Sequence, residues 1–168
     1  AMGEALADET YFARLKDAGY RTGFVGKWGV KFERGVMSDH FDTYRPMSPP
    51  YLRERDGQDA RHLTDRAADE AIRFIAEGAG EEPFCLTLSF NAPHAEDPHP
   101  DQYIPPADLA LLYAEAEVAV PPLSEPAVFE ALPEFMRTSL NRERWGWRFD
   151  SREKQVKRTL DYWRMISG

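Results

Sequence analysis

A single cysteine, Cys85, stands among 168 residues, which excludes an internal disulfide and any cysteine-based zinc site. No long apolar run is present either: the longest, residues 84–90, is strand-sized and far short of a membrane span. Basic residues are too few for the phosphate backbone of a nucleic acid to be a main partner, with 21 Lys and Arg against 29 Asp and Glu. The opening Ala1-Met-Gly-Glu4 lacks the basic and apolar stretches of a signal peptide and reads as an internal start. Residues 95–136 contain no Lys or Arg beside nine acids, whereas residues 137–164 carry nine bases against four acids. Opposite fields on neighbouring segments suggest that they pack on each other or onto something beyond the chain, a solvated surface being the plainer alternative.

What is there suits a folded domain. Hydrophobic residues make up 42% and aromatics 12%, enough for one domain with a real core. Asp8 or Thr10 can cap a short helix with Tyr11, Phe12, Leu15 and Ala18 on one face, stopped at Gly19. Residues 22–25 predict a strand, and Gly26 turns the chain into Lys27-Trp28. Residues 29–59, with Pro46, Pro49 and Pro50, predict a loop. Thr64 opens the clearest helix, with Ala67, Ala68, Ala71, Ile72 and Ile75 as its stripe and Gly78 as its stop. Residues 84–90 are apolar enough for a central strand covered on both faces, with Cys85 as a core thiol. Residues 93–133 hold nine of the 13 prolines and predict an extended arm, with short helices over 108–117 and 129–140. Ser151 can cap a last helix carrying Val156, Leu160 and Trp163.

Strand, crossover helix and strand make a βαβ unit. Its parallel strands bring their carboxyl ends to one edge, where open α/β sheets bind ligands. Lys27 ends the first strand and His94 follows the second, so together they make a candidate oxyanion site. A lysine in a surface turn and a histidine packed after a proline are the plain alternatives.

Leu15-Lys-Asp-Ala-Gly-Tyr-Arg-Thr-Gly-Phe-Val-Gly-Lys-Trp28 resembles the L-K-x-A-G-Y-x-T-G-x-x-G-K-W segment of type I sulfatases, in the alkaline-phosphatase-like superfamily. His40-Phe-Asp42, Leu63-Thr-Asp-Arg-Ala67 and Ser89-Phe-Asn-Ala-Pro-His94 are similar to the segments that follow it in that family. The resemblance implies an α/β fold, a fragment of a mixed sheet flanked by helices, with one βαβ unit and a Pro-rich extended arm. It divides residues 1–168 into a core at 8–94, an acidic arm at 95–136 and a basic, aromatic segment with a C-terminal helix at 137–168.

It also implies hydrolysis of a sulfate ester, with a sulfated carbohydrate as substrate. Lys27 would neutralise a sulfate oxygen, and His94 would bind the sulfate or the ester oxygen and protonate the leaving group. Such enzymes carry a formylglycine made within C/S-x-P-x-R and a Ca2+ ion held by Asp-Asp and Asp-Asn pairs. None of these motifs stands in this chain: Ser48-Pro-Pro-Tyr-Leu52 has leucine where arginine is required. Gly29 replaces the histidine usual two places after the lysine. The chain is therefore expected to be the central part of an enzyme, inactive alone and prone to self-association through exposed apolar faces. The family suggests an exported parent. A phosphate or phosphonate monoester hydrolase and a non-catalytic remnant that binds anions or a partner are the rivals.

Two further clusters stand out. His94, Glu96, Asp97, His99 and Asp101 resemble metal ligands by type, yet Pro98 and Pro100 prevent a helical ligand face, and no metal is assigned. In residues 141–150, Trp145 and Trp147 alternate with Arg142, Arg144 and Arg148. The tryptophans read first as packing beside the last helix, with stacking on a sugar as the alternative; Arg142, Arg144 or Arg148 could then pair with a sulfate or carboxylate, and Arg144 and Arg148 are taken as candidate ligands for an anionic carbohydrate.

Overall fold

The computed structural model describes residues 4–31, 36–55, 58–78, 80 and 82–168, in two compact units, 1–92 and 93–168. The first unit runs α1 (Glu4–Ala7), α2 (Tyr11–Asp17), β1 (Arg21–Gly26), α3 (Val36–Asp39), β2 (Thr43–Pro46), β3 (Leu52–Arg55), β4 (Gln58–His62), α4 (Leu63–Glu77) and β5 (Phe84–Ser89). Strands β2, β1 and β5 form a parallel sheet in that order, while β3 and β4 form a separate antiparallel ribbon.

Register explains the layers. Tyr44, Phe24 and Thr87 fall in one row, and Thr43, Gly23 and Leu86 in the next, so the two rows face opposite sides of the sheet. On the Phe24 side, Ala7, Phe12, Phe24 and Phe41 form a core against which Trp28 and Tyr44 pack. Phe41 and Tyr44 stack at 5.7 Å, and Trp28 meets Phe24 edge-on at 4.7 Å. On the other side α4 lays Phe74 against β1. A Cβ at Gly23 would come within 2.7 Å of that ring, so glycine there makes room for phenylalanine. Arg21 covers the same ring at 3.8 Å and donates to the Phe74 carbonyl.

Several expectations change. Residues 29–59 are not a loop: among the described residues they hold α3, β2, β3 and the start of β4, and residues 32–35 and 56–57 lie outside the description. The central strand is β1, buried from Thr22 to Gly26, whereas β5 lies at an edge of the described sheet. Phe84, Leu88 and Phe90 are consequently exposed and Cys85 is only half-buried. The three described strands of the main sheet are all parallel, and the described antiparallel pairing lies in the separate β3–β4 ribbon, which fits the α/β fold expected. Helix α2 buries Phe12 and Ala13 and leaves Tyr11 and Ala18 out. Helix α4 buries Ala67, Ala71 and Phe74 and leaves Ile72 and Ile75 exposed, the bulkier ring having taken the inward position. His62 caps α4 by accepting from the Thr64 N–H, and its ring stacks on buried Tyr51 at 5.1 Å.

The second unit has two single 3₁₀ turns, Ala107–Leu109 and Pro122–Ser124, then α5 (Pro126–Glu130), α6 (Glu134–Arg137), α7 (Leu140–Phe149) and α8 (Arg152–Ser167). The helix expected over 108–117 is reduced to the first of those turns, and that over 129–140 is divided at Pro133, which leads into α6. Ser139 and Ser151 cap α7 and α8 by accepting from the N–H groups of Arg142 and Lys154.

Helix α8 buries charge: Arg158, Asp161 and Met165 form its inner side. Arg158 donates to the carbonyls of Pro100 and Asp101, and Lys157 pairs with the Asp101 carboxylate at 3.1 Å. Arg164 donates to the Leu112 carbonyl at 2.9 Å and pairs with Asp161 at 3.0 Å. The acidic segment thus folds onto the basic one, as their opposite charges suggest. Among the described residues, no helix is long and apolar enough to cross a membrane.

Candidate functional site

The carboxyl edge of the parallel sheet is tied together by main chain. Gly26 closes β1 at φ +110°, and a Cβ there would lie 1.9 Å from the Ser89 carbonyl oxygen, so only glycine fits. The Lys27 N–H donates to that same oxygen at 2.7 Å, and the Met47 N–H donates to the Gly26 carbonyl at 2.7 Å. Buried Asn91 donates from its side chain to the Met47 carbonyl at 3.1 Å. The exits of β1, β2 and β5 therefore hold one another, and Lys27 leaves from their centre.

The Lys27 side chain is exposed, and its neighbour Trp28 is half-buried in the aromatic core. Among the described residues, no carboxylate pairs with the Lys27 ammonium. An exposed cation at the carboxyl edge of a parallel sheet suits an anionic ligand. At the opposite end of β1, Asp42 accepts from the Thr22 N–H at 2.7 Å and pairs with Lys16 at 3.1 Å. Burial opposes its charge, but the Thr22 and Lys16 bonds outweigh that and hold its carboxyl below the usual value.

His94 lies five residues beyond Ser89, in the second unit, exposed, with Nδ1 at 2.7 Å from the Ala95 carbonyl oxygen. The segment after it curls around Gln102. That side chain is buried, donates to the carbonyls of Asp97 and His99 at 2.8 Å, and accepts from Arg148 Nε at 2.8 Å. Arg148 also pairs with Asp97, whose other oxygen lies 3.6 Å from Arg144. The Arg148 guanidinium is thus engaged within the fold, while Arg144 keeps more of its surface. Trp145 is half-buried and Trp147 is 46% exposed, so the second packs less than expected. Among the described residues, no group of three or more His, Cys, Asp or Glu side chains is placed to hold a metal ion.

Two comparisons bear on this edge. Residues 4–116 match the Sulfatase family, a span that includes both strand ends, Lys27 and His94. The chain belongs to the sulfatase family. It is similar to an N-acetylglucosamine-6-O-sulfatase of Bacteroides thetaiotaomicron, 26% identical over 98 residues, which covers 51% of this chain and 17% of that enzyme. The chain therefore spans about a sixth of the length of this sulfatase relative.

Asn91 and Gln102 were not singled out from the sequence. Asn91 sits within Ser89-Phe-Asn-Ala-Pro-His94, where an amide after an apolar strand signals a polar group in need of partners. Gln102 carries no comparable signal.

Proposed function

We propose that this chain is the central part of a sulfatase that hydrolyses a sulfate ester, with a sulfated carbohydrate as substrate and an alkaline-phosphatase-like fold in the whole protein. The observation that supports this reading most is the joined exit of β1 and β5, which holds Lys27 as an exposed cation at the carboxyl edge within a sulfatase sequence. Lys27 neutralises a sulfate oxygen as charge builds on the transferring group, and His94 binds the ester oxygen and returns a proton to the leaving alcohol. Arg144, steadied by Asp97, contacts an anionic carbohydrate; Arg148 holds Asp97 and Gln102 in place.

The family's formylglycine would supply a nucleophile and its Ca2+ a charge clamp, but the residues here do not fit either group. The C/S-x-P-x-R motif and the carboxylate pairs are not in this sequence. The chain by itself is accordingly expected to turn over no aryl sulfate and to self-associate through exposed side chains such as Ile72, Phe84 and Phe90. A sharp monomeric unfolding transition would contradict the self-association.

The test is kinetic, in a full-length protein carrying this segment, on an aryl sulfate and the matched aryl phosphate. Lys27→Ala and His94→Ala are each expected to lower kcat/KM on the sulfate by about 100-fold or more. Unchanged kinetics in Lys27→Ala would refute its role, and preference for the phosphate would replace the sulfatase reading with a phosphatase one.

A further inference from the structure

Residues 123–150, outside the segment that matches the family, enclose a groove of about 920 Å³. Small-molecule sites run from about 300 to 1,000 Å³. Leu132, Phe135 and Met136 give the groove apolar walls, and Arg142 is the cation inside it. The Arg142 guanidinium carbon lies 3.5 Å from the centroid of the Phe129 ring and 4.3 Å from that of Trp145. Rings against its flat faces strip water from the guanidinium and leave the N–H rim for hydrogen bonds.

That charge is not neutralised locally. Among the described residues, no carboxylate pairs with Arg142. Of the two acids lining the groove, Asp150 is taken by Lys154 at 2.8 Å, and Glu130 makes no ion pair with the guanidinium. The neighbouring arginines differ, since Arg144 and Arg148 both face Asp97. A half-dehydrated cation between ring faces favours an oxyanion over water, and the walls beside it favour a hydrocarbon body.

We propose that this groove binds a small amphiphilic anion, its carboxylate or sulfate-type oxyanion on the N–H rim of Arg142 and its ring or chain against Phe135 and Met136. None of the residues that line the groove is among those assigned above to sulfate-ester hydrolysis.

Calorimetric titration of the 168-residue chain with naphthalene-2-sulfonate and 2-naphthoate tests it, with 2-naphthol as the uncharged control. Saturable binding of at least one anion is expected, about tenfold or more tighter than 2-naphthol. Arg142→Gln should bring the anion down to the level of the naphthol, whereas Arg152→Gln on exposed α8 surface should change its Kd by less than about twofold. Arg142→Lys keeps the charge without the planar fork and should fall between them. Phe135 is 74% exposed, so Phe135→Ala spares the fold and should weaken binding about threefold or more. Absence of saturable binding, equal affinity for 2-naphthol, equal losses in Arg142→Gln and Arg152→Gln, or an unchanged Kd in Phe135→Ala would each overturn the assignment. Sulfonate against carboxylate affinity then identifies the headgroup.

Discussion

The two units hold themselves together by different means. In residues 1–92 a buried strand is covered on both faces by rings, with Phe12, Phe24 and Phe41 on one side and Phe74 on the other. In residues 93–168 the inner side of the longest helix carries Arg158 and Asp161, and guanidinium groups reach main-chain carbonyls of the proline-rich segment. Prolines remove donors and prevent regular pairing in such a segment, so its free carbonyls need donors from elsewhere. Long cationic side chains supply them. In this unit the bases of α8 thus serve carbonyls of the proline-rich segment, beside a small apolar contribution from Ile104 and Met165.

The contrast is broken or sharpened by measuring each unit separately with segment-resolved hydrogen exchange. The largest effect is expected from Phe74→Ala, which leaves a hole beneath Gly23 and should cost about 3–5 kcal/mol, read as lost protection in β1, α4 and β5. Arg158→Met keeps volume but leaves the Pro100 and Asp101 carbonyls without their donor; a loss of about 1.5–3 kcal/mol is expected at residues 96–103. Unchanged protection there would mean that the second unit is held by apolar packing after all.

Acid should act on the same residues more gently. The Lys157 bond first, and then Arg158, hold the Asp101 carboxyl below its usual value against the opposing effect of burial. A depressed carboxylate adds stability above its unfolded value of about 4 and loses it as pH falls through the lower folded value. Protection at residues 96–103 should therefore decline only below about pH 4. The smallest effect belongs to salt: Asp101 and Lys157 are 55% and 52% exposed, so their pair is screened, while the amides of β1 should not respond.

The legible parts of the fold are those where one pattern dominates. Strand β1, helix α4 and its Gly78 stop, and the Ser151 cap all follow from local spacing. Strand β2 escapes because Thr43–Pro46 is four residues long, half-exposed and ends in proline, while β3 and β4 are rich in arginine and polar residues without alternation. The order of β1 and β5 within the sheet is inverted because an apolar run does not say which strand has two partners. At the candidate site, the placement of Lys27 at a strand exit was readable; Asn91 offered only its position after an apolar strand and Gln102 no signal, since a buried amide is recognised by its partners more than by its spacing.

One feature of the edge bears on specificity under the proposed sulfatase reading. With Gly26 pressed onto the Ser89 carbonyl, the α-carbon of Lys27 has a fixed address, anchored by peptide groups that no side-chain substitution can slide. If Lys27 binds the anion as proposed, a variant suited to a larger or smaller one has to alter the length of the residue at 27 or the segments arriving from elsewhere, because its main chain is pinned to that of β5.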